Sequence, residues 1–346
     1  MSFYLDTGYF DFRKAAALGY PWTWIIGGRG TGKTFGGLST SVEDGIPFML
    51  MQRKQSQLDV LNSPAFSPFK KINKVKGWQV IPKAVTKNSA AFYHSRQDQK
   101  GKTIIEGAPL GYTMALSTIG NVRGFDGSDV ERMLFDEFIP EKTDRAIRNE
   151  AEALVAAYES ISRNRELEGR KPLQFFGMAN ALDLGNCHLI YHGLVRVLEK
   201  MERTGQTLYT DDKRGICVIN LGDSPISVQK QDTALYRMLG ENTAYSQMAL
   251  GNTFAFEDRD DVRSRPLAEY KPMVTVGEVT VYRHKSREAF YVSPHRSGSP
   301  ATFGAGETDL ARFRRRYGIE LWSALLDHRM EFEDFLSKTL LTKYLG

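Results

Sequence analysis

Gly27-Gly28-Arg29-Gly30-Thr31-Gly32-Lys33-Thr34 has the spacing G-x-x-x-x-G-K-[ST]. Glycines at these positions let the backbone curl so that successive N–H groups face one point, an arrangement suited to phosphate oxygens. A lysine at this place neutralises the β- and γ-phosphates, and the next hydroxyl is set to ligate Mg²⁺. The expected ligands are therefore ATP and Mg²⁺, the competing reading being a glycine-rich turn that holds no nucleotide. Arg29 is either a cation assisting catalysis in cis or a plain surface charge.

Asp136-Glu137 ends the apolar run Met133-Leu134-Phe135, about a hundred residues further on. A carboxylate closing a buried strand can hold Mg²⁺ through water, which makes Thr34 and Asp136 the expected metal-side residues. An adjacent glutamate can polarise the attacking water, the role expected of Glu137. Adjacent residues at a strand end point in different directions, so one acid can serve the metal and the other the water. Arg132 stands where another apolar residue is expected, so the buried strand is read as short.

Arg163 and Arg165 close a helical pattern in SRNRE, and two residues apart they point to different faces. Either could stabilise transition-state charge across a subunit boundary, or both could be a solvated helix end. Asn180 ends the next apolar strand, as a γ-phosphate sensor or as a turn residue. Arg123 lies in the loop IGNVRGFDG just before the Asp-Glu strand, within possible reach of a nucleotide. Cys187, His188 and His192 lie close together but lack an evident fourth ligand, so no metal site is assigned to them. The basic runs 70–76 (KKINKVK) and 312–316 (RFRRR) are solvated faces or sequence-independent contacts to a nucleic-acid backbone.

Short apolar strands at 23–26, 47–53, 133–136 and 173–180 alternate with helical patterns such as 150–165. This predicts an α/β domain with a mostly parallel sheet that places the loop and the acids at strand ends. A hairpin is expected over 90–94 and 103–107, and a separate core strand over 111–117. The helix after the loop contains Gly36 and Gly37, each costing ~1 kcal/mol against alanine, so packing must hold it. The expected organisation is an ATPase domain at 1–222, a small helical linker at 223–255, and a smaller α+β domain at 256–346. In that last domain 273–292 reads as antiparallel strands, 293–308 as a loop and 309–346 as an amphipathic helical tail.

The 346 residues are 41% hydrophobic, which accommodates a sizeable core and argues against disorder. The formal charge of +5 permits contact with a polyanion without requiring it. Two cysteines without a C-x-x-C exclude a disulfide framework. No signal-peptide pattern and no apolar run of ~20 residues is present, so a soluble intracellular protein is expected.

Several of these strings together, IIGGRGTGKT, LFDEFIPEK, SRNRE, MANA and TALYRMLGENTAYSQMAL, resemble the podovirus DNA encapsidation proteins, the packaging ATPases of short-tailed phages. The pieces stand in that family's order over most of residues 20–255. The VRG segment also resembles the large terminase subunits. The resemblance implies a P-loop fold of the ASCE class and a ring of identical subunits, pentameric in the best-known members, docked on the portal of a procapsid. The ring would move double-stranded DNA, in some relatives with a structural packaging RNA. It implies Arg163 as the arginine acting in trans, Asn180 as the sensor and Arg123 as a residue acting on the neighbour's nucleotide. The C-terminal part would be a vestigial RNase H-like fold, its strands carrying Glu278, Arg283, His284 and Ser293 where an active nuclease needs clustered acids. The implied location is the host cytoplasm, transiently on the procapsid and not in the mature virion. The alternatives are a helicase- or transposition-type DNA ATPase and a nucleotide-switched docking scaffold at the portal or capsid.

Overall fold

The computed structural model describes residues 2–122, 126–141, 143–240, 242–298 and 300–346. They form two compact units, one of Met1–Asp183 with Met201–Phe256 and one of Leu184–Lys200 with Glu257–Gly346.

The first unit begins with α1 (Phe12–Ala16), β1 (Trp22–Ile26), α2 (Lys33–Glu43), β2 (Phe48–Gln52), α3 (Gln55–Leu61) and α4 (Phe69–Lys76). Next come β3 (Val80–Thr86), β4 (Ser89–Gln97), β5 (Thr103–Ala115), β6 (Arg132–Asp136), α5 (Glu150–Ser162) and β7 (Gln174–Ala179). After Leu184–Lys200, which belongs to the second unit and carries α6 (Cys187–Tyr191) and the start of α7 (Val195–Thr204), the first unit is completed by β8 (Leu208–Asp211), β9 (Ile216–Asn220), α8 (Pro225–Gln231), α9 (Ala234–Leu239) and α10 (Ala244–Gly251).

Nine strands form one sheet in the order β3-β4-β5-β2-β6-β7-β1-β9-β8. The six from β5 to β9 run parallel, and antiparallel strands close both edges. The parallel strands are near-continuous apolar runs because helices cover both faces; all five residues of β2, for example, are buried. This is the α/β, parallel-rich sheet that the alternating pattern predicts.

The paired glycines of α2 have a packing reason. A Cβ on Gly36 would lie 3.1 Å from Phe12 Cβ, and one on Gly37 3.4 Å from Leu134, so α2 packs closely on α1 and the sheet and alanine at Gly36 would push Phe12 back by a few tenths of an ångström. Arg132 does not shorten its strand. It is the first residue of β6, 2% exposed, stacked over Phe12 and Phe176 and donating to Ser41 Oγ at 3.0 Å. Stacking and hydrogen bonding make burial of its planar cation tolerable.

The segment 103–115 is one strand rather than a hairpin arm followed by a separate core strand. Its ladder with β4 is interrupted: Phe92 pairs with Gly111 and His94 with Glu106, so residues 107–110 oppose Tyr93 alone. Gly107 there has φ +72°, and Pro109 has no N–H to offer a ladder. Strand β3 was not expected. The 223–255 stretch, expected as a linker, lies within the first unit, and its three short helices make contacts of their own there.

The second unit contains β10 (Tyr270–Val276), β11 (Val279–His284), β12 (Phe290–Ser293), β13 (Ala301–Phe303), α11 (Glu307–Phe313), α12 (Ile319–Leu326), β14 (Met330–Phe332) and α13 (Phe335–Leu345). A second sheet runs β13-β10-β11-β12-β14, with an antiparallel meander at its centre and a parallel strand at each edge. The edge strands β13 and β14 fall where only loop and helix are expected from sequence.

Among the described residues no helix is long and apolar enough to cross a membrane.

Candidate phosphate and carboxylate site

Three parallel neighbours, β6, β7 and β1, end at one edge of the first sheet, aligned by the pairs Asp136↔Met178 and Ala179↔Ile26. A crevice beyond the carboxyl ends of parallel strands is the usual ligand position in such sheets. The glycine-rich loop Gly27–Thr34 leaves β1 and runs into α2, Asp136 closes β6, and Asn180 follows β7. Together they border a cavity of about 870 Å³ lined by Arg29–Phe35, Asp136, Glu137, Asn180 and Tyr9, which is large enough for a nucleotide.

Lys33 is the first residue of α2 and is 8% exposed. Its ammonium donates to Gly27 O at 2.8 Å, Gly28 O at 3.0 Å and Asn180 Oδ1 at 3.1 Å. Burial lowers its pKa to about 8, although the charge of Asp136 works the other way. Thr34 Oγ1 donates to Asp136 Oδ2 at 2.7 Å. Burial raises the Asp136 carboxyl to about 6, against the stabilising Thr34 bond. A cation and a hydroxyl from the head of α2, a carboxylate from the end of β6 and an amide from beyond β7 thus meet at the loop.

Glu137 is exposed and carries φ +53°, an uncommon backbone for a residue with a side chain. The chain turns sharply after Asp136, so the two acids leave the strand in different directions. Within the loop Gly32 has φ +87°, and a Cβ there would stand 3.0 Å from the Tyr9 ring. Thr31 Oγ1 donates to Gly28 O at 3.1 Å, closing the loop on itself. The Arg29 guanidinium donates to Glu141 at 3.1 Å and to Tyr245 Oη at 3.2 Å.

The two arginines after α5 have different surroundings. Arg165 is 3% exposed and donates to Val130 O at 2.5 Å, tying the helix end to the approach to β6. Arg163 is half exposed, 3.7 Å from Asp126, with φ +48°. It is not brought to this chain's own cavity. Arg123 lies outside the described residues.

The helix of the 70–76 run buries Phe69 and Ile72, while Lys71 and Lys76 stand at the cavity rim. In 312–316 Phe313 is buried, Arg314 donates to Tyr344 O at 2.7 Å, and Arg315 and Arg316 are exposed. In the second unit Glu278 lies in the β10–β11 turn, Arg283 pairs with Glu320, and Ser293 donates to Glu333.

Sequence reasoning missed Lys230, whose ammonium donates to Arg29 O, and Ala249, whose carbonyl accepts Arg29 N–H at 2.9 Å. An alanine reached through its backbone and a lysine two hundred residues away leave no local signal.

The family model for the podovirus DNA encapsidation protein (Gp16) matches residues 85–276, more than half of the chain. The match contains Asp136, Glu137, Arg163 and Asn180 and begins after the glycine-rich loop. The chain is similar in fold to a structure described as "The bacteriophage Phi-29 viral genome packaging motor assembly", at 16% identity and TM-score 0.68, covering 98% of this chain and 99% of that one. It is likewise similar to "The Phi-28 gp11 DNA packaging Motor", at 17% identity and TM-score 0.62, with 98% of each chain covered. No curated protein sequence matches.

Proposed function

The chain belongs to the podovirus DNA encapsidation family and acts in packaging phage DNA into the procapsid; we propose that it does so as an ATPase of the P-loop ASCE class, whose site is the cavity under Gly27–Thr34. The observation that carries this reading is the meeting of Lys33 with Asn180 and of Thr34 with Asp136, at 3.1 Å and 2.7 Å, at the mouth of one loop.

The residues fit Mg·ATP. The Lys33 ammonium is buried and faces carbonyl and amide oxygens, positions at which phosphate oxygens would serve it better. The Thr34 hydroxyl and the Asp136 carboxylate are hard oxygen donors of the kind Mg²⁺ takes. Bound there, Mg²⁺ would neutralise charge on the transferring phosphate. Glu137 orients the attacking water and accepts its proton. Asn180, already bonded to Lys33, reports whether a terminal phosphate is present.

Arg163, half exposed and away from its own cavity, serves the site of a neighbouring subunit in a homo-oligomeric ring, a pentamer in this proposal. Arg123 acts on the neighbour's nucleotide. The ring docks on the portal of the procapsid in the host cytoplasm, with or without a packaging RNA. Exposed basic segments at 70–76 and 312–316 contact DNA phosphates without reading sequence. The C-terminal domain binds nucleic acid or portal and cuts nothing.

A mixing experiment tests the reading. Glu137→Ala and Arg163→Ala are each expected to abolish DNA-stimulated ATP hydrolysis. Mixed in one assembly they should recover part of it, because some interfaces then hold both intact residues. Assembled mixtures with no recovery would sink the trans role of Arg163, and a wild-type chain that binds but never hydrolyses ATP would sink the enzyme.

A further inference from the structure

Two successive peptide planes of the phosphate loop are held from outside by the 224–252 segment. Arg29 N–H donates to Ala249 O at 2.9 Å, and the Lys230 ammonium donates to Arg29 O. The approach is close on both sides: a Cβ on Gly28 would lie 2.7 Å from Ala249 O, and one on Gly30 would lie 2.8 Å from Lys230 Nζ. No cis peptide occurs among the described residues, and in a trans peptide the C=O and the following N–H point opposite ways. Fixing Arg29 N–H on Ala249 therefore turns Gly28 O the other way, where it accepts from Lys33 and from Thr31. Fixing Arg29 O on Lys230 turns Gly30 N–H away from Lys230 in the same manner.

The segment making these contacts is itself anchored. Ser227 Oγ donates to Leu250 O at 3.0 Å, joining α8 to α10. Asn252, with φ +49° at the end of α10, donates to Ile26 O at 3.3 Å and to Asn220 Oδ1 at 2.9 Å, at the ends of β1 and β9.

We propose that Lys230 is a positioning residue for the phosphate loop: with Ala249 it sets the two peptide planes around Arg29, so that 224–252 clamps the loop in the orientation that receives the phosphates of a nucleoside triphosphate. This rests on the nucleotide-binding reading above. It carries a thermodynamic corollary, because a clamp that raises nucleotide affinity must itself be stabilised by nucleotide to the same factor.

The experiment uses the full-length chain with Mg²⁺ and a fluorescent ATP analogue. Lys230→Met is expected to weaken binding at least tenfold, and Lys230→Arg, which keeps the donor, to restore most of it. In the wild-type chain, hydrogen exchange over 225–231 should slow severalfold on adding the nucleotide. That measurement needs no variant and stays informative if Lys230→Met folds poorly. Unchanged affinity in Lys230→Met, no recovery in a folded Lys230→Arg, or unchanged exchange over 225–231 would each overturn the clamp while leaving the ATPase reading intact. A wild-type chain that fails to bind the analogue, as Lys33→Ala should, would overturn both.

Discussion

Replacing Asp136 by asparagine should make the nucleotide-free protein more stable and destroy its activity. Burial raises the Asp136 carboxyl from 3.8 to about 6 on folding. The folded state therefore holds that proton more tightly than the unfolded one. The stability this contributes is complete below pH 3.8, falls as the pH rises toward 6, and is gone above it. At ~1.36 kcal/mol per unit, an ionised Asp136 burdens the folded chain by about 3 kcal/mol at pH 7 and about half of that at pH 5. Asparagine cannot ionise and keeps an oxygen able to accept the Thr34 hydroxyl. For a unit of this size the pH 7 gain corresponds to a rise in Tm of roughly 6–12 °C. Thermal melts followed by circular dichroism at pH 5 and pH 7, without nucleotide, measure it, and an ATPase assay on the same samples should read background. An Asp136→Asn chain melting at or below the wild type at pH 7, or gaining as much at pH 5 as at pH 7, would refute the reasoning.

Three further outcomes follow from the geometry. Gly28→Ala brings a methyl to 2.7 Å from Ala249 O, a clash with backbone worth about 1–3 kcal/mol, so nucleotide titration should show affinity about tenfold weaker. Arg165→Ala should lower stability by about 2–3 kcal/mol, because it leaves the buried Val130 carbonyl without its charged donor, whereas Arg163→Ala, half exposed, should stay within about 0.5 kcal/mol in denaturant melts. Arg53 and Glu150 form a two-point pair at 2.6 Å and 2.7 Å, with both side chains almost wholly buried. Glu150→Ala should therefore cost about 3–5 kcal/mol by melts, and Arg53→Met with Glu150→Leu should recover most of it.

The readable parts of the sequence were those whose physics is local. The glycine-rich loop stands out because eight consecutive residues carry the turn, the cation and the hydroxyl. The Asp-Glu strand shows itself because three apolar residues run straight into two acids. Arg132 misled because sequence charge says nothing of partners, and its partners Phe12, Ser41 and Phe176 come from three other elements. The role of 224–252 was hidden for a related reason: Ala249 acts through its carbonyl and Asn252 through oxygens at the ends of two distant strands. Arg163 and Arg165 look alike in SRNRE, and only the fold shows that Arg165 is buried against Val130 while Arg163 is half exposed.

The break in the β4–β5 ladder has a consequence for strand length. Strand β5 is covalently continuous from the hairpin turn at 98–102 to Ala115, beside the core strand β2. Four of its residues, 107–110, face a single residue of β4, with Gly107 in a left-handed turn and Pro109 lacking a donor. Strand β4 runs unbroken past this gap and pairs with β5 on both sides of it. The register of 111–115 is shared with the core strand β2, while 103–106 pair only with β4, so 107–110 take up the difference in length between the two ladders.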